Sequence, residues 1–181
     1  MTQNARDDHF DLNEALEFLA TTPDTLQDFL ANLPDSWLDF KEDPEAWSPR
    51  RVLVHFIHNE QTNWIVRTRV ILSDSEDKTF PPFGQMPDEK AFPPLGTGQL
   101  LDQFAQLRKT NLAQMRGFEI GLEDLDREGV HPALGTVNLR QLISTWVAHD
   151  LNHLHQIAKS LAKRYGDAVG PWRPNLAIID L

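Results

Sequence analysis

Four segments of this chain carry apolar side chains at the spacing of an amphipathic helix. Leucine, isoleucine, valine and phenylalanine recur every three or four residues in each segment, so that they share one face of a helix. The four segments are 11–32, 49–72, 98–116 and 138–165. The pattern therefore predicts four long helices, the first of them interrupted or kinked near Pro23.

Two of the predicted helices have recognisable start signals. Ser48-Pro49 places a capping residue directly before a proline at the first helical position, which predicts the start of the second helix. Asn138 and Gln141 have the spacing of a capping box, which predicts the start of the fourth. These signals indicate that both helices begin at defined residues.

Long connectors separate the second, third and fourth predicted helices. Residues 73–99 hold five prolines, too many for a regular element, and 118–137 form another connector. No stretch alternates apolar and polar residues over a length that would indicate a sheet. The predicted fold class is therefore all-α: a four-helix bundle with long crossover loops, forming a single domain over 1–181.

The first long connector also carries large apolar side chains. Phe80, Phe83, Met86 and Phe92 stand among its prolines. A connector of this length in a compact domain often covers a functional site, and apolar side chains commonly line such sites. We expect these four residues to form a lid or rim over a pocket.

Charge and composition exclude several classes of function. The chain has 17 basic and 27 acidic residues, and its formal charge of −10 opposes binding to nucleic acids and to anionic membranes. No apolar run approaches the ~20 residues needed to cross a bilayer. There is no cysteine, so any thiol chemistry must use a thiol brought by the substrate. The expectation is a cytoplasmic protein without nucleic-acid or membrane partners.

His149 and His153 stand one helical turn apart in the fourth predicted helix. Side chains at i and i+4 have Cβ atoms about 5–6 Å apart, so two imidazoles there can share one cation at a Zn–N distance of about 2.0–2.1 Å. On a helical wheel both lie beside the buried face, whereas His155 faces solvent. His55 in the second predicted helix can supply a third ligand. The sequence therefore predicts a three-histidine metal site.

Three polar residues accompany these histidines. Asp150 falls near the centre of the buried face of its helix, where a carboxylate is costly unless it is paired, hydrogen-bonded or near a metal. It can orient a ligand imidazole through the free N–H of the ring. Asn59 and Glu60 follow about one turn after His55. Asp150, Asn59 and Glu60 are therefore candidates for contacts around the ligands. His58 is rotated outward, which predicts an exposed position or a pocket rim.

A purely structural role is the alternative for each of these histidines. Pairs at this spacing arise by chance, and a histidine on an apolar face is more often a hydrogen-bonded core residue than a metal ligand. The inward carboxylate of Asp150 and the presence of His55 in another helix favour the metal site.

Several stretches of the chain together resemble the DinB/YfiT-like proteins. They are Trp47–His55, Gly135–Leu139, Trp146–His153 with Gln156-Ile157, and Val169–Trp172. The resemblance covers nearly the whole chain. It implies a four-helix bundle that holds a divalent metal, commonly nickel or zinc, with one histidine from the second helix and two from the last. By motif position these histidines are His55, His149 and His153.

The resemblance also implies homodimers and, in characterised members, transferases or isomerases that work with small thiols. Three protein ligands leave coordination positions open for water or substrate. The leading hypothesis is a metal-dependent transferase that uses a small-molecule thiol. Two alternatives stay open: a metal-dependent hydrolase, and a non-catalytic metal- or ligand-binding protein that serves in a stress response or as a scaffold.

Overall fold

The chain folds into long helices joined by irregular connectors and one short hairpin. A computed structural model describes residues 10–84 and 95–180. Its helices are α1 (Leu12–Leu30), α2 (Asp35–Leu38), α3 (Pro49–Thr62), α4 (Trp64–Leu72), α5 (Thr97–Gly117), α6 (Leu139–Lys163) and α7 (Ala177–Asp180). The predicted helical bundle is confirmed. Among the described residues, no helix combines the length and the apolar character needed to cross a membrane.

The four long helices α1, α3, α5 and α6 form a closed bundle. Helices that follow one another along the chain do not always pack side by side. Helix α1 makes its main contacts with α5 and α6, and α3 packs against the same two helices. The diagonal pairs are therefore α1 with α3 and α5 with α6. Both diagonals are joined by long connectors, since a tight turn can join only adjacent antiparallel helices. The diagonal packing thus accounts for the long connectors between α1 and α3 and between α5 and α6.

The helix starts agree with the sequence signals. The Ser48 hydroxyl accepts the backbone N–H of Arg51 at 3.1 Å, which caps α3. Asn138 and Gln141 form the predicted capping box at the start of α6, with distances of 2.9 and 3.0 Å. The predicted second helix, however, is two helices: the backbone at Asn63 departs from helical geometry (φ −112°, ψ −79°) and separates α3 from α4.

The predicted interruption at Pro23 does not occur, because α1 continues through this residue. Proline has no N–H, so the carbonyl of Leu19, four residues earlier, lacks its usual helical donor. The guanidinium of Arg108 on α5 donates to this carbonyl from Nη1 at 2.7 Å. A side chain from a neighbouring helix thus replaces the backbone hydrogen bond that Pro23 removes.

The all-α prediction misses one small sheet. Strands β1 (Glu128–His131) and β2 (Gly135–Asn138) form an antiparallel hairpin in the connector before α6. Four-residue strands are too short to show a period-2 pattern over a detectable length. The one sequence signal is Gly135, which adopts φ +77° at the turn, a conformation that favours glycine.

The described first part of the connector, residues 73–84, packs against this hairpin through Phe80. The N–H of Phe80 donates to the carbonyl of Val130 at 2.9 Å, and the Phe80 ring is buried in the core. The expectation of a lid residue is therefore wrong for Phe80. Phe83 is about half-exposed and its ring contacts His58, whereas Met86 and Phe92 lie outside the described residues.

A layer of polar side chains crosses the bundle between two apolar clusters. One apolar cluster contains Leu19, Trp64, Leu112 and Trp146, and the other contains Leu26, Phe56, Phe104 and Ile157. On each long helix, buried polar residues lie between these two groups. Among them are Thr22 on α1, Asn59 and Glu60 on α3, Arg108 and Asn111 on α5, and Asp150 and His153 on α6.

The centre of the polar layer is the buried guanidinium of Arg108. It binds Asp150 through Nη1 at 2.6 Å and Nη2 at 3.0 Å, and it binds Glu60 through Nε at 3.0 Å. Thr22 donates its hydroxyl to Asp150 at 2.7 Å, and Asn111 donates to Glu60 at 2.9 Å. Side chains from all four long helices therefore meet in one hydrogen-bonded network.

We expect Gly129→Ala to destabilise the fold. A Cβ at this position would clash with Cε1 of the buried Phe80 ring, so the ring or the strand must shift. Overpacking of this kind costs about 1–3 kcal/mol in the free energy of unfolding, measurable by urea denaturation. Gly117→Ala is the control, because nothing lies within 4 Å of its Cβ. Equal stability of the two variants would contradict the expectation.

Replacing Arg108 by methionine should destabilise the protein far more than replacing Arg50. Arg108→Met leaves the buried carboxylates of Asp150 and Glu60 without a counter-charge, a loss of about 3–5 kcal/mol. Arg50 pairs with exposed Asp35 and Asp39, and its replacement should cost about 0–1 kcal/mol. Urea denaturation of both variants makes the comparison, and similar losses would show that the buried network contributes little.

Candidate metal centre

Three histidines from two helices converge at one level of the bundle. His55 on α3 and His149 and His153 on α6 each place a ring nitrogen within 4.8 Å of the others. The ring centroids are 4.3 Å apart for His149 and His153, 4.5 Å for His55 and His153, and 5.1 Å for His55 and His149. The structure thus brings together the three histidines selected from the sequence.

The orientation of the rings fits a shared cation. The Nε2 atoms of His55 and His149 face each other at 3.0 Å. Two nitrogens that bind one tetrahedral ion at about 2.0–2.1 Å lie about 3.3 Å apart, so this separation is close to that of a ligand pair. His153 directs Nδ1 to Oε1 of Gln156 at 2.7 Å, which leaves its Nε2 for the centre of the cluster. All three imidazoles can therefore coordinate through Nε2.

Aromatic side chains surround the histidine cluster. Trp47 lies against His55 and His153 at ring distances of 5.0 and 6.2 Å. Phe56 contacts His149 and His153 at 5.9 and 5.7 Å, and Trp64 contacts His149 at 5.1 Å. These apolar faces remove water from the imidazoles, which disfavours their charged forms.

The electrostatics keep two of the imidazoles neutral. Burial, together with the neighbouring His153 and His149, lowers the pKa of His55 from 6.5 to about 3. Burial and the neighbouring His149 lower the pKa of His153 to about 4. A metal ligand must be a neutral imidazole with a free lone pair. At neutral pH both side chains are therefore in the form that binds a cation.

Asp150 and Glu60 are both engaged by the buried Arg108. Burial opposes the charged form of Asp150, but the contacts with His149, Arg108 and Thr22 outweigh it, so its pKa lies below the usual range. Burial raises the pKa of Glu60, and Arg108 only partly opposes this. The single positive charge of Arg108 thus stabilises the charged form of Asp150 more effectively than that of Glu60. Oδ1 of Asp150 lies 3.8 Å from Nδ1 of His149, beyond hydrogen-bond distance.

Asn59 lies beside the ligand atom of His55, one turn along α3. Its Nδ2 is 3.0 Å from Nε2 of His55 and 2.8 Å from the His55 carbonyl. Its Oδ1 accepts the amide of Asn63 at 3.0 Å, which orients the Asn59 side chain. Asn59 therefore holds an amide group at the edge of the histidine cluster, where the sequence analysis expected a contact.

The remaining histidines of α3 and α6 do not join the cluster. His155 is exposed, as predicted. His58 is buried, with Nε2 2.8 Å from the carbonyl of Gly84 and its ring against Phe83. The prediction of an exposed or rim position for His58 is therefore wrong, because residues 83–84 cover this face of α3.

Sequence reasoning missed three residues that support the site. Arg108 is a lone cation on the apolar face of α5, four residues from both Phe104 and Leu112, and this position was the available signal. Gln156 follows His153 by three positions, the spacing of facing side chains on a helix. Trp47 lies in the connector before α3, within the family-like stretch Trp47–His55, but that pattern does not assign it a contact with the histidines.

The neutral histidines should make the metal-free protein sensitive to mild acid. Between the folded pKa values of about 3 and 4 and the unfolded value of 6.5, the unfolded chain binds more protons at His55 and His153. Stability is therefore highest above pH 6.5 and falls as the pH drops towards 4. Urea denaturation in the presence of a chelator measures this slope. His153→Gln should flatten it and the exposed His155→Gln should not; equal slopes for both would contradict the prediction.

Comparison with known proteins places this arrangement in a structural context. The solved structure of YfiT from Bacillus subtilis matches with a TM-score of 0.68 and 20% sequence identity, over 88% of this chain and 91% of that chain. YfiT is described as a probable metal-dependent hydrolase with an unusual four-helix bundle topology. At this identity the likeness establishes the fold, and it does not by itself establish a shared activity. No curated protein matches the sequence.

The match to a family model covers the bundle and all three converging histidines. The model of the DinB superfamily matches residues 19–157, which extend from α1 to the last third of α6. His55, His149 and His153 all lie within the matched range. The chain therefore belongs to the DinB superfamily.

Proposed function

We propose that this protein is a divalent-metal-dependent enzyme whose ion is held by His55, His149 and His153. The observation that carries the proposal is the convergence of three imidazole nitrogens, from two separate helices, within 4.8 Å of one another. A hydrogen bond between His55 and His149, whose Nε2 atoms are 3.0 Å apart, accounts for only two of the rings, whereas a shared ion accounts for the convergence of all three.

The donor set favours a borderline transition metal such as nickel or zinc. Imidazole nitrogen suits these ions, whereas calcium and magnesium prefer oxygen ligands. No carboxylate takes part in the described cluster. Three protein ligands leave positions open for a substrate, as in catalytic zinc sites. A divalent ion there supplies Lewis acidity, which lowers the pKa of a coordinated thiol or water.

The residues of the chain have distinct parts in this proposal. The three histidines bind the ion, and Gln156 fixes the ring of His153 through its Nδ1. Trp47, Phe56 and Trp64 limit access of water to the imidazoles. The amide of Asn59 can donate a hydrogen bond to a group of the substrate next to His55.

The favoured reaction is the transfer of a small-molecule thiol to an electrophile. A thiol ionises far more readily than water, so it needs less activation by a base or by the ion. Asp150 and Glu60, the two buried carboxylates of this layer, are both bound to Arg108 and are poorly suited to act as a base. A nucleophile that ionises easily therefore suits this site. A small thiol as partner and a homodimer as the assembly are parts of this proposal.

Metal-dependent hydrolysis is the second candidate. It is favoured by the similarity to YfiT, described as a probable metal-dependent hydrolase. Hydrolysis at this site would rely on the ion alone to lower the pKa of water, since both buried carboxylates are engaged. The two reactions use the same metal site and differ in the nucleophile, which is a thiol in transfer and water in hydrolysis.

We expect the protein, purified without a histidine tag, to contain about one equivalent of nickel, zinc or a similar ion per chain. The double variant His149→Ala, His153→Ala should lose this metal and keep its helical circular dichroism, because two of three ligands are gone. His155→Ala is the matched control, since His155 lies on the same helix but faces solvent. Elemental analysis measures the difference. A protein that takes up no metal even after soaking with several ions would contradict the metal site.

Turnover then separates the candidate functions. The metal-loaded protein is assayed with small thiols and electrophiles in one series and with esters and amides in another. Thiol-dependent product that disappears in the double variant would support transfer. Hydrolysis without thiol would support the second candidate, and saturable ligand binding without turnover would indicate a non-catalytic binding protein.

A further inference from the structure

The imidazole of His149 has one nitrogen without a hydrogen-bond partner. Its Nε2 faces His55, and its Nδ1 is buried and unpaired among the described residues. A neutral imidazole that coordinates through Nε2 carries its proton on Nδ1. In the metal-binding form His149 therefore presents a buried N–H donor that requires an acceptor.

The carboxylate of Asp150 offers acceptor capacity beside this donor. Its Oδ2 already accepts hydrogen bonds from Thr22 at 2.7 Å and from Arg108 at 2.6 Å. Its Oδ1 accepts one bond from Arg108 at 3.0 Å and lies 3.8 Å from Nδ1 of His149. A hydrogen bond of about 3 Å requires a shift of somewhat less than 1 Å, which a side-chain rotation can supply.

His153 shows the same arrangement already formed. Its Nδ1 lies 2.7 Å from Oε1 of Gln156, so the proton faces an acceptor and Nε2 faces the cluster. Each ligand of α6 thus has an acceptor group near Nδ1: the bonded amide of Gln156 for His153, and a carboxylate at 3.8 Å for His149. A hydrogen-bonded carboxylate raises the basicity of its imidazole more than an amide does, so this bond would make His149 the stronger donor to a metal.

We propose that Asp150 positions His149 for metal binding by accepting the N–H of Nδ1 at Oδ1, while Arg108 holds the carboxylate in place. The inference rests on the proposed function, since it presupposes a metal at the three histidines. Arg108 is itself fixed by Glu60 on α3 and by the Leu19 carbonyl on α1. The polar layer of the bundle therefore extends to the ligand set through a single carboxylate.

Two variants of the same network separate this role from a structural one. Asp150→Asn and Glu60→Gln each remove one carboxylate that pairs with Arg108, so both should lower the melting temperature. Only Asp150→Asn also removes the acceptor of His149. The oxygen of the new amide is needed by Arg108, so its NH2 group faces Nδ1 and favours the tautomer with the proton on Nε2. That tautomer cannot coordinate through Nε2, and loss of the correct tautomer is known to disable a histidine.

The readout is the affinity for zinc alone and for cobalt alone, measured by competition with a chelating dye. Asp150→Asn should weaken binding about 10–100-fold, the usual effect of removing an acceptor behind a ligand histidine. Glu60→Gln should stay close to the wild type. An equal loss in both variants would overturn the proposal, because the network would then act on the metal only through stability.

A measurement on the wild-type protein tests the hydrogen bond between His149 and Asp150 even if a variant does not fold. Nitrogen-15 NMR of the zinc-loaded protein should show His149 protonated at Nδ1, with a proton that exchanges slowly with water. Protonation at Nε2, or rapid exchange of the Nδ1 proton, would overturn the proposal. A wild type that takes up no zinc or cobalt would instead contradict the metal site itself, so the two failures are distinguishable.

Discussion

The architecture depends on one buried positive charge that is shared among four helices. The guanidinium of Arg108 is almost fully excluded from solvent, and every long helix supplies a group that binds it directly or through Asp150 or Glu60. Burial of ionised groups is costly. Removing one partner of a buried ion pair lowers the stability of the fold more than replacing the whole pair by apolar side chains. The relative positions of the helices are therefore constrained at the level of the bundle where the histidines converge.

This constraint gives the histidine cluster a rigid frame. His149 and Asp150 are neighbours in α6, so a displacement of the carboxylate also displaces the ligand. On α3, Glu60 connects the helix that carries His55 to the same network. Because all three ligands stand on helices rather than on loops, their separation is set by the packing of α3 against α6. Sites on packed helices hold their geometry more closely than sites on loops.

Much of this arrangement could be predicted from the sequence because helical periodicity is a local property. Spacing alone placed His149 and His153 on one side of α6 and Asp150 in the interior, and His55 was selected by its position in another helix. The role of Arg108 could not be derived in this way, since its partners lie 42 and 48 residues away along the chain. The break at Asn63 and the hairpin were missed for a similar reason: tertiary contacts decide them, and local propensity is weak there.

Pro23 lies inside α1, although a proline is a common signal for the end of a helix. As a sequence signal it indicates the end of a helix, because it lacks an N–H. In the folded chain that deficiency leaves the Leu19 carbonyl available, and Arg108 occupies it. Any other residue at this position would bring its own donor to compete for the same oxygen. Pro23 thus leaves a buried backbone acceptor for a specific side chain, which lies 89 residues away from that carbonyl in the sequence.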